Sequence, residues 1–154
     1  MISVTRRYRF CASHRLHVAG FDEKANDELF GKCNNPFGHG HNYEVEITVA
    51  GPIDAPTGRA VDLAALDALV NRTVVFRYDH RNLNEELPEF ATLVPTTENL
   101  GVEIERHLKR EWHSVFPNAT PRLERIRIFE TERNIFELTP VGAQSNGQEV
   151  TSGT

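Results

Sequence analysis

His39-Gly40-His41-Asn42-Tyr43-Glu44-Val45-Glu46-Ile47-Thr48-Val49-Ala50 decides the fold class. From 41 to 50, Tyr43, Val45, Ile47 and Val49 share one parity, and Asn42, Glu44, Glu46 and Thr48 take the other. A period of two is the mark of a strand with one buried and one solvated face. Working outward toward the N-terminus, residues 2 to 14 alternate in the same way. Ile2, Val4, Tyr8, Phe10 and Ala12 stand against Ser3, Thr5, Arg7 and Arg9, with Arg6 the one misfit. Between the two runs lies a segment rich in turn formers (Gly20, Asn26, Gly31, Asn34, Asn35, Pro36, Gly38), which reads as a loop. Downstream, Gly51 to Gly58 reads as a turn-rich connection. Asp62 then looks like the N-cap of a helix whose apolar face is Leu63, Leu66, Leu69, Val70 and Val74. Pro95-Thr96-Thr97-Glu98 opens a second helix, with Leu100, Ile104, Leu108 and Val115 as its buried stripe. Residues 122 to 130 and 134 to 138 read as two more strands. The order strand, strand, helix, helix, strand, strand predicts an α+β fold, an antiparallel four-stranded sheet with two helices on one face. Residues 1–140 are expected to form one domain. The polar run from Val141 to Thr154 has nothing to bury and is expected to be a disordered tail.

At 154 residues and 39% hydrophobic composition the chain can bury a core without covalent staples. A formal net charge of −5 would repel a polyanion, so nucleic acid is not an expected partner. Neither a signal-peptide pattern nor an apolar run of membrane-spanning length is present, so a soluble cytoplasmic protein is expected, with no membrane partner. Cys11 and Cys33 are too few for a disulfide framework and read as free thiols.

The chemistry is concentrated in residues that share strand faces. His14 has the parity of Tyr8, Phe10 and Ala12; His39 and His41 have the parity of Tyr43, Val45 and Ile47. All three imidazoles therefore point to the apolar side, and residues two apart can grip one ion. Three neutral imidazoles suit zinc and leave a fourth, open position, which is the catalytic arrangement. The bland alternative is three core histidines, each bonded to backbone. Cys33, six residues before His39, is a candidate base or nucleophile, a fourth zinc ligand, or an inert small hydrophobe. Cys11 has the opposite parity to His14 and reads as structural. In Asp79-His80, the carboxylate can fix the imidazole's tautomer, although such pairs are also common on surfaces. Glu130 shares the parity of Ile126 and Ile128, so its carboxylate falls on the apolar side of a strand end. It needs either a ligand with two N–H donors or a salt bridge to Arg122 or Arg133.

Several of these segments together resemble one family. Leu29 to Tyr43 (LFGKCNNPFGHGHNY) is similar to the zinc and cysteine segment of the 6-pyruvoyl-tetrahydropterin synthases, and Phe10-Cys11-Ala12-Ser13-His14 to their first-ligand motif. Asp79 to Asn84 resembles their catalytic Asp-His segment, Pro95 to Asn99 their second-helix start, and Glu130-Thr131 their pterin anchor. The resemblance spans residues 2 to 138 in order. It implies zinc on His14, His39 and His41, Cys33 as catalytic thiol with Asp79 and His80 as partners, and Glu130 holding the pterin ring. Thr96, Thr97 and Glu98 are implied to be substrate contacts. The implied reaction converts 7,8-dihydroneopterin triphosphate to 6-pyruvoyl-tetrahydropterin with loss of triphosphate and no redox cofactor. The implied assembly is a homohexamer, a dimer of trimers with the tunnelling fold, whose sheets close into a barrel and whose sites lie at subunit boundaries. Within the same superfamily, 6-carboxy-tetrahydropterin synthase of the queuosine pathway shares the zinc site and substrate. The five residues between Cys33 and His39 favour the pyruvoyl enzyme. Cys11, Phe37 and Tyr78 depart from the usual pattern, and a non-catalytic zinc or pterin-binding protein is the alternative from another class.

Overall fold

The computed structural model describes residues 1–142, so the tail expected from Val141 lies, beyond Gly142, outside the described residues. The two long alternating runs become β1 (Ile2–His14) and β2 (His39–Gly51). They pair antiparallel over their whole length, from Ile2 opposite Gly51 to His14 opposite His39. β4 (Arg122–Phe129) pairs antiparallel with β2 and β5 (Ile135–Leu138) with β4. The sheet differs from expectation in one strand. A two-residue strand, β3 (Arg81–Asn82), runs parallel to β1 at Ala12 and Ser13, so the sheet is mixed and five-stranded, ordered β3-β1-β2-β4-β5. Two residues carry no readable period, which is why alternation could not reveal this strand.

The helices follow their caps. α1 (Glu23–Phe30) was not expected, because its only buried residue is the polar Asn26. Its signals are the Asp22 side chain accepting from the Ala25 amide and Gly31 closing the end at φ 54°. α2 (Leu63–Val70) starts where Asp62 accepts from the Ala65 amide, and it runs on through a π-turn at Asn71–Val75 into α3 (Phe76–Tyr78). α4 (Leu83–Glu86) is a single turn. α5 (Thr97–Val115) is capped by the Thr96 hydroxyl accepting from the Asn99 amide. Among the described residues no helix is long and apolar enough to cross a membrane.

Tyr43, Val45, Ile47 and Val49 of β2 are buried under Leu66, Leu69, Val70 and Val74 and under Leu100, Ile104 and Leu108. Ala12, Phe10 and Tyr8 extend this face across β1, and Ile126 and Ile128 extend it across β4. Arg6, the misfit in the alternation, shares this parity because α2 supplies a partner. Its guanidinium forks onto Asp67 at 3.1 and 2.5 Å, and the Tyr8 hydroxyl donates to the same carboxylate at 2.7 Å. The other sheet face is a cross-strand charge ladder, with Arg7 on Glu46 at 2.6 Å, Arg9 on Glu44 at 3.0 Å and Arg127 on Glu46 at 3.3 Å.

Candidate metal and active site

β1 ends and β2 begins at the same place, which puts His14 directly opposite His39, with His41 two residues along and on the same face. The three rings stand edge to face with centroids 4.6, 5.0 and 4.7 Å apart. One ligand nitrogen from each lies within 4.8 Å of the others. His14 Nε2 and His39 Nε2 are 3.0 Å apart. The His14 ring is 1% exposed, and its Nδ1 donates to the Pro95 carbonyl at 2.8 Å, which leaves the Nε2 lone pair facing the cluster. Burial, with His39 and His41 beside it, pushes His14 down to about 4. His41 is also lowered by burial, although the Glu130 carboxylate works the other way. Both shifts favour the neutral imidazole at pH 7. His41 Nε2 and His39 Nδ1 are buried without hydrogen-bond partners, so the reading of three backbone-satisfied core histidines does not hold. A cation shared by the three nitrogens fits this donor set.

The approach to the cluster is shaped by Gly38, whose φ of 70° and Cβ position 3.0 Å from the His14 carbonyl oxygen require glycine in the turn entering β2. Glu130, just past β4, is 10% exposed and places Oε1 3.3 Å from His41 Nε2 and 3.7 Å from His14 Nε2. It pairs with neither Arg122 nor Arg133, and Arg122 turns to Glu124 instead. Cys33 sits on a 3-10 turn (Gly31–Asn34) tied down by the Leu16 amide donating to its carbonyl at 2.8 Å. Its thiol is outside the three-nitrogen group, against the fourth-ligand alternative. The protein groups alone, burial first and then Glu130, push that thiol up, whereas a cation in the imidazole cluster would act in the opposite sense.

The helix start divides its expected contacts. The Thr97 hydroxyl is buried beside the Tyr43 hydroxyl without a close hydrogen bond, while the Thr96 hydroxyl is spent on the cap. Glu98 is exposed and borders a small apolar cavity with Gly101, Ile126 and Ile128. Asp79 and His80 form the expected pair, with His80 Nδ1 donating to Asp79 Oδ2 at 2.9 Å. They sit beside β1, where the Cys11 amide donates to Asp79 Oδ1 and the His80 amide to the Cys11 carbonyl. The Cys11 amide is the chief reason the Asp79 carboxyl is lowered. His80 holds φ at 58°, rare for a residue with a side chain. No hydrogen bond joins this pair to Cys33 among the described residues. Cys11 itself is exposed and its thiol donates to Asn42.

A second buried polar group, Glu89 with His107 and Glu103, escaped the sequence reading. Its signal was present: His107 falls on the stripe of Leu100, Ile104 and Leu108, where an apolar residue is expected.

The family model described as 6-pyruvoyl tetrahydropterin synthase matches residues 3–140. The chain belongs to this family. Among curated relatives, 6-pyruvoyl tetrahydrobiopterin synthase of Homo sapiens is 43% identical over 132 residues, covering 86% of this chain and 87% of that protein. A solved structure of Caenorhabditis elegans 6-pyruvoyl tetrahydropterin synthase superposes with a TM-score of 0.80 at 36% identity, covering 90% of this chain and 95% of that one. A putative 6-carboxy-5,6,7,8-tetrahydropterin synthase of Archaeoglobus fulgidus is 32% identical over 100 residues, covering 65% of this chain and 74% of that protein. The family's fold and the imidazole cluster therefore coincide in one chain.

Proposed function

We propose that this chain is a zinc-dependent 6-pyruvoyl-tetrahydropterin synthase that converts 7,8-dihydroneopterin triphosphate with elimination of triphosphate, in a catalytic domain spanning residues 1–140. The observation that carries the reading is a set of three imidazoles, His14, His39 and His41, whose ligand nitrogens lie within 4.8 Å of one another, next to a nearly buried carboxylate, Glu130. His14, His39 and His41 hold the metal, and zinc suits their all-nitrogen, low-charge set. When bound, the metal acidifies the C–H bonds beside the substrate's side-chain hydroxyls. Glu130 accepts from two N–H groups of the pterin ring and fixes its orientation. Thr97 supplies a further hydroxyl contact. Cys33 takes a proton from the side chain and returns one to the ring. Asp79 holds the His80 Nδ1 proton, which leaves Nε2 free to exchange protons with the reaction.

The pair's exposure at a sheet edge, with no hydrogen bond to Cys33 among the described residues, supports sites built at subunit boundaries in a homohexamer. So do the sheet's free margins: β3 covers β1 only at Ala12 and Ser13, and β5 ends the other side. Mass analysis of the product from 7,8-dihydroneopterin triphosphate tests the function. A pyruvoyl pterin is expected, a carboxy pterin would assign the runner-up, and no turnover by metal-loaded protein would leave only binding.

A further inference from the structure

The Glu89 carboxylate is 3% exposed and takes no part in the chemistry above. It is fully engaged. Arg77 forks onto it, with Nε on Oε1 at 2.8 Å and Nη2 on Oε2 at 2.6 Å. The Tyr78 hydroxyl donates to Oε1 at 3.1 Å, and His107 Nε2 lies 3.2 Å from the same oxygen. Two of these three partners, Arg77 and Tyr78, are the residues immediately before Asp79-His80. They form the single turn α3, which follows a π-turn and ends where the chain swings into extended backbone at Asp79 and into the left-handed region at His80. A π-turn shifts the helical register by one residue, and a non-glycine φ of 58° persists only where its surroundings over-determine it. On the far side the chain is pinned to β1 through Cys11 and by the Asn82 amide donating to Glu86. On the near side the Glu89 group is the polar anchor. A packed apolar turn can slide or rotate slightly at little cost, whereas a bidentate fork with an added hydroxyl defines one orientation.

We propose that Glu89, through Arg77 and Tyr78 and backed by His107, is a positioning residue that sets the angle at which Asp79 and His80 are presented for the reaction. This rests on the catalytic reading of Asp79-His80. Because Arg77 balances the Glu89 charge, the effect is geometric. A displacement of about 1 Å in a reacting group can cost roughly 100-fold in rate.

The test is a double-mutant cycle on the metal-loaded full chain, with kcat, KM and bound metal measured for each variant. Glu89→Gln is expected to lower kcat about 10- to 100-fold with KM and metal content within about twofold of the parent. Tyr78→Phe, which removes one hydroxyl and keeps the core filled, is expected to lower kcat about 3- to 10-fold, and it decides the matter if Glu89→Gln does not fold. In a His80→Ala background neither change should lower kcat by more than about twofold, because the group they orient is gone. Unchanged kcat in the single variants, or the same fold loss with and without His80, would overturn the inference and leave Glu89 a structural residue. Near-parental activity of His80→Ala alone would overturn the dyad's catalytic role and the inference with it, and that single variant tells the two failures apart.

Discussion

Replacing Glu130 by Gln tests the centre of the site, because its carboxylate stands between two possible employers. Oε1 is 3.3 Å from His41 Nε2, close enough to compete for a metal, and the side chain is 10% exposed, which leaves part of the carboxylate open to a ligand. If it anchors the pterin, two charge-assisted hydrogen bonds of about 1.5–3 kcal/mol each are at stake. Gln keeps the volume and one neutral acceptor of about 1 kcal/mol, but it turns an amide N–H toward a ligand donor. The net loss is about 2–5 kcal/mol, or roughly 30- to 5,000-fold in affinity. Calorimetric titration with a pterin lacking the triphosphate, on protein whose metal content is measured in the same preparation, reads this directly. The expected result is full metal occupancy with weakened pterin binding. Wild-type pterin affinity would remove the anchor role, loss of the metal in Glu130→Gln would show that the carboxylate serves the metal, and after either result the site would have to be redrawn.

The other expectations follow from the same geometry. Wild-type protein should carry about one zinc per chain, and His39→Ala or His41→Ala should lose most of it, since two imidazoles hold the ion poorly; atomic absorption finding full occupancy in either would refute the ligand set. Cys33→Ala should keep metal and pterin binding while kcat falls by about two to four orders of magnitude, and a near-parental rate would move the base role to His80. Acid should weaken the fold through the Glu89 group. Burial opposes the Glu89 charge, but the Arg77 fork and His107 outweigh it and hold the carboxyl at about 2, below its ordinary 4.5. Burial likewise lowers His107 from 6.5. Both shifts are downward, so the stability they contribute is present at neutral pH and lost on acidification, for His107 below 6.5 and for Glu89 from 4.5 toward 2. Urea midpoints measured from neutral pH downward should fall more steeply below pH 4.5 in the parent than in Glu89→Gln, and parallel curves would contradict this assignment.

Much of the molecule is legible in the chain because its signals are local. The period of two in residues 2 to 14 and 41 to 50 set the faces of β1 and β2, and the same parity placed His14, His39 and His41 on the buried side. Asp62 and Thr96 marked both major helix starts as side-chain acceptors. Other features carry no local signal. β3 is too short to have a period, and α1 buries only Asn26, so neither stands out from a loop. Arg6 looked like an error in the pattern because its partner, Asp67, lies in a helix far along the chain.

By itself, then, the sequence determined the strand faces, the helix starts, the side of the sheet on which the imidazoles fall and which side chains are candidates for the chemistry. All of these depend on residue type and spacing within one segment. Only the tertiary structure decided that His14 lies opposite His39, that Glu130 comes within reach of His41, that Thr96 is spent on a cap while Thr97 is not, and that Glu89 gathers Arg77, Tyr78 and His107 behind Asp79-His80. Each of those joins segments distant in sequence, and the strand register and helix packing that bring them together come from burying the whole core at once, which no single segment encodes.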